Sequence, residues 1–187
     1  MQDVNVMNMG TKTLETKRLI LRKFTLDDAE GMFNNWATDS KVNKYLSWNV
    51  HKDVKETRNI IEKWISKYED GNYNWIVEKK DTHEVIGSIC EEGKSIKNKT
   101  ISLGYCYGSK YWNNGYASEV LRRVIEYLLN EEDYYLVEAN YRSSNPASGK
   151  VMEKVGMKYD GTLRDRKIDP DGKRASVIYY SITKNEL

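Results

Sequence analysis

The sequence predicts a mixed α/β fold in which antiparallel strands come first and a parallel step wraps a central helix. Three observations predict it. The apolar period changes from helical to alternating near Tyr73 and returns to helical at Tyr116. The element order reads strand, two helices, three strands, helix, strand, helix, strands. Only two prolines, Pro146 and Pro170, punctuate 187 residues, and no repeat or Gly/Ser/Pro linker divides them.

Taken in order, Leu14 to Arg22 reads as a strand with Leu19, Ile20 and Leu21 as its apolar part. Thr25 with Asp28 three residues later resembles a capping box, and Leu26, Ala29, Phe33, Trp36 and Ala37 follow at helical spacing. Ser40 to Val50 reads as a loop carrying Tyr45 and Trp48. Asp53 to Tyr68 is a second helix with Val54, Ile60, Ile61, Trp64, Ile65 and Tyr68 on one stripe. Tyr73 to Glu78, Glu84 to Glu91 and Thr100 to Tyr107 read as three strands joined by polar turns. Tyr116 to Leu129 is the clearest helix, with Ala117, Val120, Leu121, Val124, Ile125 and Leu128 at its period. Tyr134 to Tyr141 is a strand. Pro146 to Val155 is a short helix with Asn145 at its N-cap, Pro146 at its first position and Gly156 past its end. Ala175 to Thr183 is the last strand.

Composition narrows the function. Apolar residues make up 39% and charged residues 31%, a globular balance. Thirty basic side chains against 28 acidic give a net charge of +2, which is no electrostatic footprint for nucleic acid or anionic lipid. No apolar run is long enough to cross a bilayer, and Met1 to Thr13 lacks the pattern of a signal peptide, so a cytoplasmic protein is expected. Cys90 and Cys106 lie in apolar strand-like stretches and read as buried small hydrophobes. His51 and His83 lack a partner spacing, so neither a metal site nor a His-based triad is expected.

The chemistry concentrates in Ile101 to Ala117, where a strand ends, a loop with a glycine follows and a strongly amphipathic helix begins. A helix start offers free N–H groups and a partial positive charge, which is an anion site. Gly115 removes the side chain where a phosphate approaches the backbone, and Ala117 nearly does. The loop lacks the Gly-Lys-Ser/Thr of a Walker A motif and the three glycines of a dinucleotide fingerprint.

With Asn145, Ser148, Glu153, Lys154 and Gly156 added, the order of parts resembles the GNAT superfamily of N-acetyltransferases, and within it the ribosomal-protein N-terminal acetyltransferases. Trp112-Asn113-Asn114-Gly115-Tyr116-Ala117, led by Tyr111 and followed by Glu119, matches that family's phosphate motif Gln/Arg-x-x-Gly-x-Gly/Ala apart from its first residue. Asn145 and Ser148 match its Asn-x-x-Ser signature, with Met157 where Phe is usual. Leu14 to Arg22 is similar to the subgroup's opening strand, so the resemblance spans Leu14 to Thr183.

The resemblance implies a GNAT domain over residues 14–187 after a flexible extension over 1–13. It implies a mostly antiparallel sheet with splayed central parallel strands and about four flanking helices. It implies acetyl-CoA as co-substrate, with pyrophosphate on the backbone of Asn113, Asn114, Gly115, Tyr116 and Ala117. Pantetheine would run along Tyr105, Cys106 and Tyr107, with contacts from Asn145 and Lys150. Many members carry a tyrosine as acid where this chain has Met152, which shifts that role to Ser148 beside Asn145. Several carry a glutamate as base where this chain has Ser102, which leaves Glu91, Glu92 and Glu138 as candidates by strand placement. Tyr45 and Trp48 are expected to wall the acceptor pocket, and Trp36 and Trp75 to be core.

The implied reaction is direct attack of an amine on the thioester, in a monomer or homodimer. The acceptor is a protein N-terminus, or a polyamine or aminoglycoside. A non-catalytic acyl-CoA sensor and a nucleotide-binding module are the rival readings.

Overall fold

The computed structural model describes residues 10–46, 48–169 and 172–187. Eight strands form one sheet in the order β1-β2-β3-β4-β5-β6-β8-β7. They are β1 (Leu14–Glu15), β2 (Leu19–Arg22), β3 (Asn74–Lys79), β4 (Val85–Ser95), β5 (Thr100–Tyr107), β6 (Leu136–Arg142), β7 (Lys158–Ile168) and β8 (Arg174–Thr183). All neighbours pair antiparallel except β5 with β6. The helical segments are α1 (Ala29–Met32), α2 (Ser40–Asn43), α3 (Val54–Ser66), α4 (Tyr116–Asn130) and α5 (Pro146–Lys154).

The alternation of strand side chains feeds two cores, one on each face. Trp75 and Val77 of β3 point to one face, against Val120, Leu121, Val124, Ile125 and Leu128 of α4 and Met152 and Val155 of α5. Ile76 between them points to the other face, with Met32, Trp36 and Ile61. Each fully buried aliphatic side chain contributes about 1.5–3 kcal/mol, so the α4 stripe is a principal anchor. Trp36 and Trp75 are both fully buried, as expected of core residues.

Several elements differ from the sequence reading. Leu14 to Arg22 is not one strand. The chain turns at Thr16, whose N–H reaches the Leu19 carbonyl at 3.0 Å, and β1 pairs back on β2. The first helical stretch forms 3₁₀ turns over Leu26–Asp28, α1, and a π-helical turn over Phe33–Ala37. The expected box is present: the Asp28 carboxylate accepts the Thr25 N–H at 2.7 Å. The Ser40 to Val50 loop contains α2, capped by Asp39, which accepts the Lys41 N–H at 3.0 Å. The described residues thus hold five α-helical segments, in keeping with the expected number of about four. Strand β7 had no bounds from the sequence, because an exposed strand of alternating charge shows no apolar period.

The expected flexible extension lies mostly outside the described residues, but its last part is docked. Thr11 is buried, accepts the Asn74 N–H at 2.7 Å and donates to the Asn72 carbonyl at 2.9 Å. The Trp75 indole donates to the Lys12 carbonyl at 2.7 Å, and the Tyr127 hydroxyl to the Gly10 carbonyl at 3.1 Å.

Candidate functional site

The parallel pair is short. Strands β5 and β6 are in register from Thr100–Leu136 to Leu103–Ala139 and then part, although β5 continues to Tyr107 and β6 to Arg142. On its other side β5 stays paired with β4 through Gly87–Tyr107. The edge of β5 from Gly104 to Tyr107 is therefore open towards β6, leaving a V between the two strands.

At the end of β5 the chain passes through a tight loop into α4. Asn113 and Gly115 both take left-handed backbone, with φ of 62° and 77°. The Asn114 side-chain amide donates to the Tyr111 and Trp112 carbonyls at 3.2 and 3.0 Å, and the Trp112 indole to the Tyr107 carbonyl at 2.8 Å. These bonds hold the loop while the N–H groups of Asn113, Asn114 and Gly115 donate to no partner among the described residues. The first N–H groups of α4 are open by helix geometry. A Cβ built on Gly115 meets only the Arg18 guanidinium, at 3.7 Å. The cradle thus has the donors, the dipole and the space an anion needs.

Arg18 is a residue the sequence reading left out of the site. Glu119, in the first turn of α4, accepts Thr16 Oγ1 at 2.6 Å, the Arg18 N–H at 3.0 Å and Arg18 Nε at 2.7 Å. Burial would raise the Glu119 pKa, but these bonds outweigh it and hold it below the usual value. The clamp ties the β1–β2 turn to α4 and lays Arg18 over the Tyr116 ring, 4.4 Å from its centroid. The signal available in the sequence was Glu119 itself, which matched a pattern without a partner.

On the other flank of the V stands the start of α5. Asn145 occupies the N-cap position but does not cap with its side chain. Its amide donates instead to Ser148 Oγ at 3.0 Å, so the two residues form one unit. The Tyr105 hydroxyl reaches from β5 to donate to the Ser148 carbonyl at 3.0 Å. Tyr141 of β6 packs on Gly149, where an added Cβ would lie 2.6 Å from its ring. Met152 is buried and Lys150 is exposed. Tyr105 and Tyr107 side chains join the core under α4, whereas Cys106 points to the opposite face against the second core. Burial pushes both thiols up, Cys90 to about 12. Neither is prepared as a nucleophile.

Residues 18–158 match the acetyltransferase (GNAT) domain family. The chain belongs to the GNAT acetyltransferase family. An uncharacterized N-acetyltransferase of Bacillus subtilis, YoaA, is 30% identical over 91% of this chain and 96% of its own. The uncharacterized protein YkkB of the same organism is 35% identical over 84% of this chain and 91% of its own. A GNAT-family acetyltransferase from Bacillus anthracis shares the fold with a TM-score of 0.82 at 27% identity, covering 94% of this chain and all of that one. As a family member this protein is an acetyl-CoA-dependent N-acetyltransferase.

The acetyltransferase has a second opening on the face of the sheet away from α4. A groove of about 360 Å³ is lined by Glu92, Ser102, Glu138, Asn140 and Tyr179 among others. Ser102 and Glu138 are direct neighbours across the parallel pair. The β4 irregularity between Glu91 and Gly93 re-aims Glu92, whose carboxylate lies where a Gly104 side chain would stand, 2.3 Å from an added Cβ. Glu92 is exposed overall, yet this partial desolvation pushes its pKa up, with Lys167 pulling the other way. Of the three carboxylate candidates, Glu91 is engaged elsewhere. It is paired with Lys94 at 3.1 Å and faces the Tyr73 N–H. Of the expected pocket walls, Trp48 meets His51 in a tilted ring contact with centroids 5.0 Å apart and packs on the second core, while Tyr45 lies under Lys44. Neither lines this groove.

Proposed function

We propose that this acetyltransferase, as one domain over residues 14–187, acetylates a primary amine by direct attack on acetyl-CoA held in the V between β5 and β6. The observation that carries the reading is the parting of β5 and β6 beside an open helix N-terminus. The N–H groups of Asn113 to Ala117, with Arg18 beside them, receive the pyrophosphate. The open β5 edge over Tyr105, Cys106 and Tyr107 pairs with pantetheine, and Asn145 and Lys150 flank it. A β5 N–H polarises the thioester carbonyl.

The amine enters through the groove on the opposite face. An ammonium group must lose a proton before it attacks, and Glu92 is the acceptor at the point where the strands part. The nitrogen–carbon bond then forms, the carbon–sulfur bond breaks, the electron pair leaves on sulfur, and the nitrogen's surplus proton passes to solvent through the groove. The Asn145–Ser148 unit sits beside the leaving thiol. A donor made in the cytoplasm agrees with a cytoplasmic enzyme.

The α-amino terminus of a protein is the acceptor favoured here. A 63-residue stretch is 30% identical to the ribosomal protein uS5 alanine N-acetyltransferase of Escherichia coli, covering 34% of this chain and 32% of that enzyme. The groove also runs across the open face of the sheet from β4 to β8, where an extended chain can lie. The test is release of CoA thiol from acetyl-CoA with N-terminal peptides, polyamines and aminoglycosides. Release with peptides supports the reading. Release with small polyamines alone replaces the acceptor, and silence across the panel from folded protein points to a sensor.

A further inference from the structure

The groove carries charges of opposite sign at its two ends. Glu92 and Glu138 stand where β5 and β6 part. The other end is set by the β7–β8 hairpin. Tyr179 of β8 lines the groove, so Val177 and Ala175, two and four residues before it, share its face. Leu163 and Lys167 of β7 pair with those two residues and face the same way. Between them the ladder is broken, and Arg164, Asp165 and Arg166 stand opposite Ser176 alone. Asp165 takes left-handed backbone with φ of 54°. Its N–H donates to Ser176 Oγ at 3.3 Å, and its carbonyl accepts Arg174 Nη1 at 3.0 Å. Two β8 side chains thus hold the bulge, and three residues against one keep Lys167 on the face of Leu163. The hairpin end is tied over the same face. Arg142, on the groove face of β6, donates to the Ile168 carbonyl at 3.2 Å and to Asp169 at 2.9 Å. Lys167 is exposed and close enough to Glu92 to lower its pKa against the larger effect of burial. Yet Lys167, Arg164 and Arg166 form no ion pair among the described residues. Of the other charges here, Asp169 is held by Arg142, Lys94 is held by Glu91, and Asp165 lies between the two arginines.

We propose that the acceptor is a protein N-terminus with an acidic side chain at its third or fourth residue, and that Lys167 binds that acid. The assignment rests on the acetyl-transfer reading above and narrows its acceptor. An ammonium group near Glu92 and Glu138 and a carboxylate at β7 match the two ends of the groove in sign. The spacing fits as well. Strand β7 lies three strands from β5, about 14 Å at roughly 4.8 Å per step, and a lysine side chain spans about 6 Å of that. The remaining distance of about 8 Å is two to three residues of extended chain at about 3.4 Å each. A polyamine makes no such match, because it brings a second cation to Lys167.

The experiment uses the full chain and follows CoA-thiol release. Three peptides share one free N-terminus and differ only in carrying Glu, Gln or Lys at their third and fourth residues. The expected kcat/KM favours Glu over Gln by about 5-fold and Glu over Lys on the order of 10-fold. The preference is carried by KM and shrinks with added salt. Lys167→Glu changes an exposed side chain and inverts the order, so that the Lys peptide becomes the better substrate. A merely structural lysine would instead lower all three peptides alike and keep their order. Equal kcat/KM for the three peptides in wild type, or an unchanged order in Lys167→Glu, overturns the assignment and leaves acetyl transfer to N-termini standing. Acetylation of polyamines alone, or of no amine, overturns the acceptor reading with it.

Discussion

Gly115→Glu tests the anion cradle most directly. The position takes φ of 77°, so any L side chain there is strained by about 1–2 kcal/mol. It is not crowded, because an added Cβ meets only Arg18 at 3.7 Å. The variant is therefore expected to fold, with Tm lowered by about 2–8 °C for a chain of this size. The new carboxylate stands where phosphate oxygens go. At about 5 Å and an effective dielectric near 20, one pair of unit charges repels by about 3 kcal/mol. That corresponds to a loss of about 100-fold in affinity. Arg18 does not relieve it without leaving Glu119, which it holds at 2.6 Å. Gly115→Ala is the control, with the same backbone strain and no charge. Calorimetric titration with acetyl-CoA on both variants separates the effects. Equal affinity in Gly115→Glu and Gly115→Ala would refute the cradle.

Other outcomes are expected. Glu92→Gln lowers kcat on the order of 100-fold and removes the acidic limb of the kcat–pH profile, since a base with a raised pKa works only above that value. An unchanged limb would move the role to Glu138. Asp28 is buried under the Arg22 fork at 2.8 and 2.9 Å. Burial raises its pKa, but Arg22 and the Thr25 N–H bring it below the unfolded value of 3.8. Its stabilisation is thus present above pH 3.8 and lost as pH falls through the lower folded value. Asp28→Asn is expected to cost on the order of 3 kcal/mol at neutral pH and to flatten the acid side of the urea-midpoint curve. Thr11→Val leaves the buried Asn74 N–H unpaired and is expected to cost about 1–3 kcal/mol, read as a lower Tm. A wild-type Tm would mean that the Thr11 hydroxyl contributes no stability.

The sequence by itself determined the elements whose signal is local. The α4 stripe, the β5 bounds and the Thr25–Asp28 box depend on spacings of two to four residues, and these survive folding unchanged. The loop of Gly115 was legible for the same reason, because a strand, a glycine and a helix in succession already make an anion site. What only the tertiary structure decided lies between residues far apart in the chain. The turn that splits β1 from β2 is set partly by Glu119, about a hundred positions away, and that same contact brings Arg18 to the cradle. Asn145 reads as a helix cap in sequence, yet its amide serves Ser148 once α5 is docked. Glu91 and Glu92 are adjacent and chemically identical. An irregularity in β4 sends one to Lys94 and the other over Gly104, and strand registry carries no trace in the order of two glutamates.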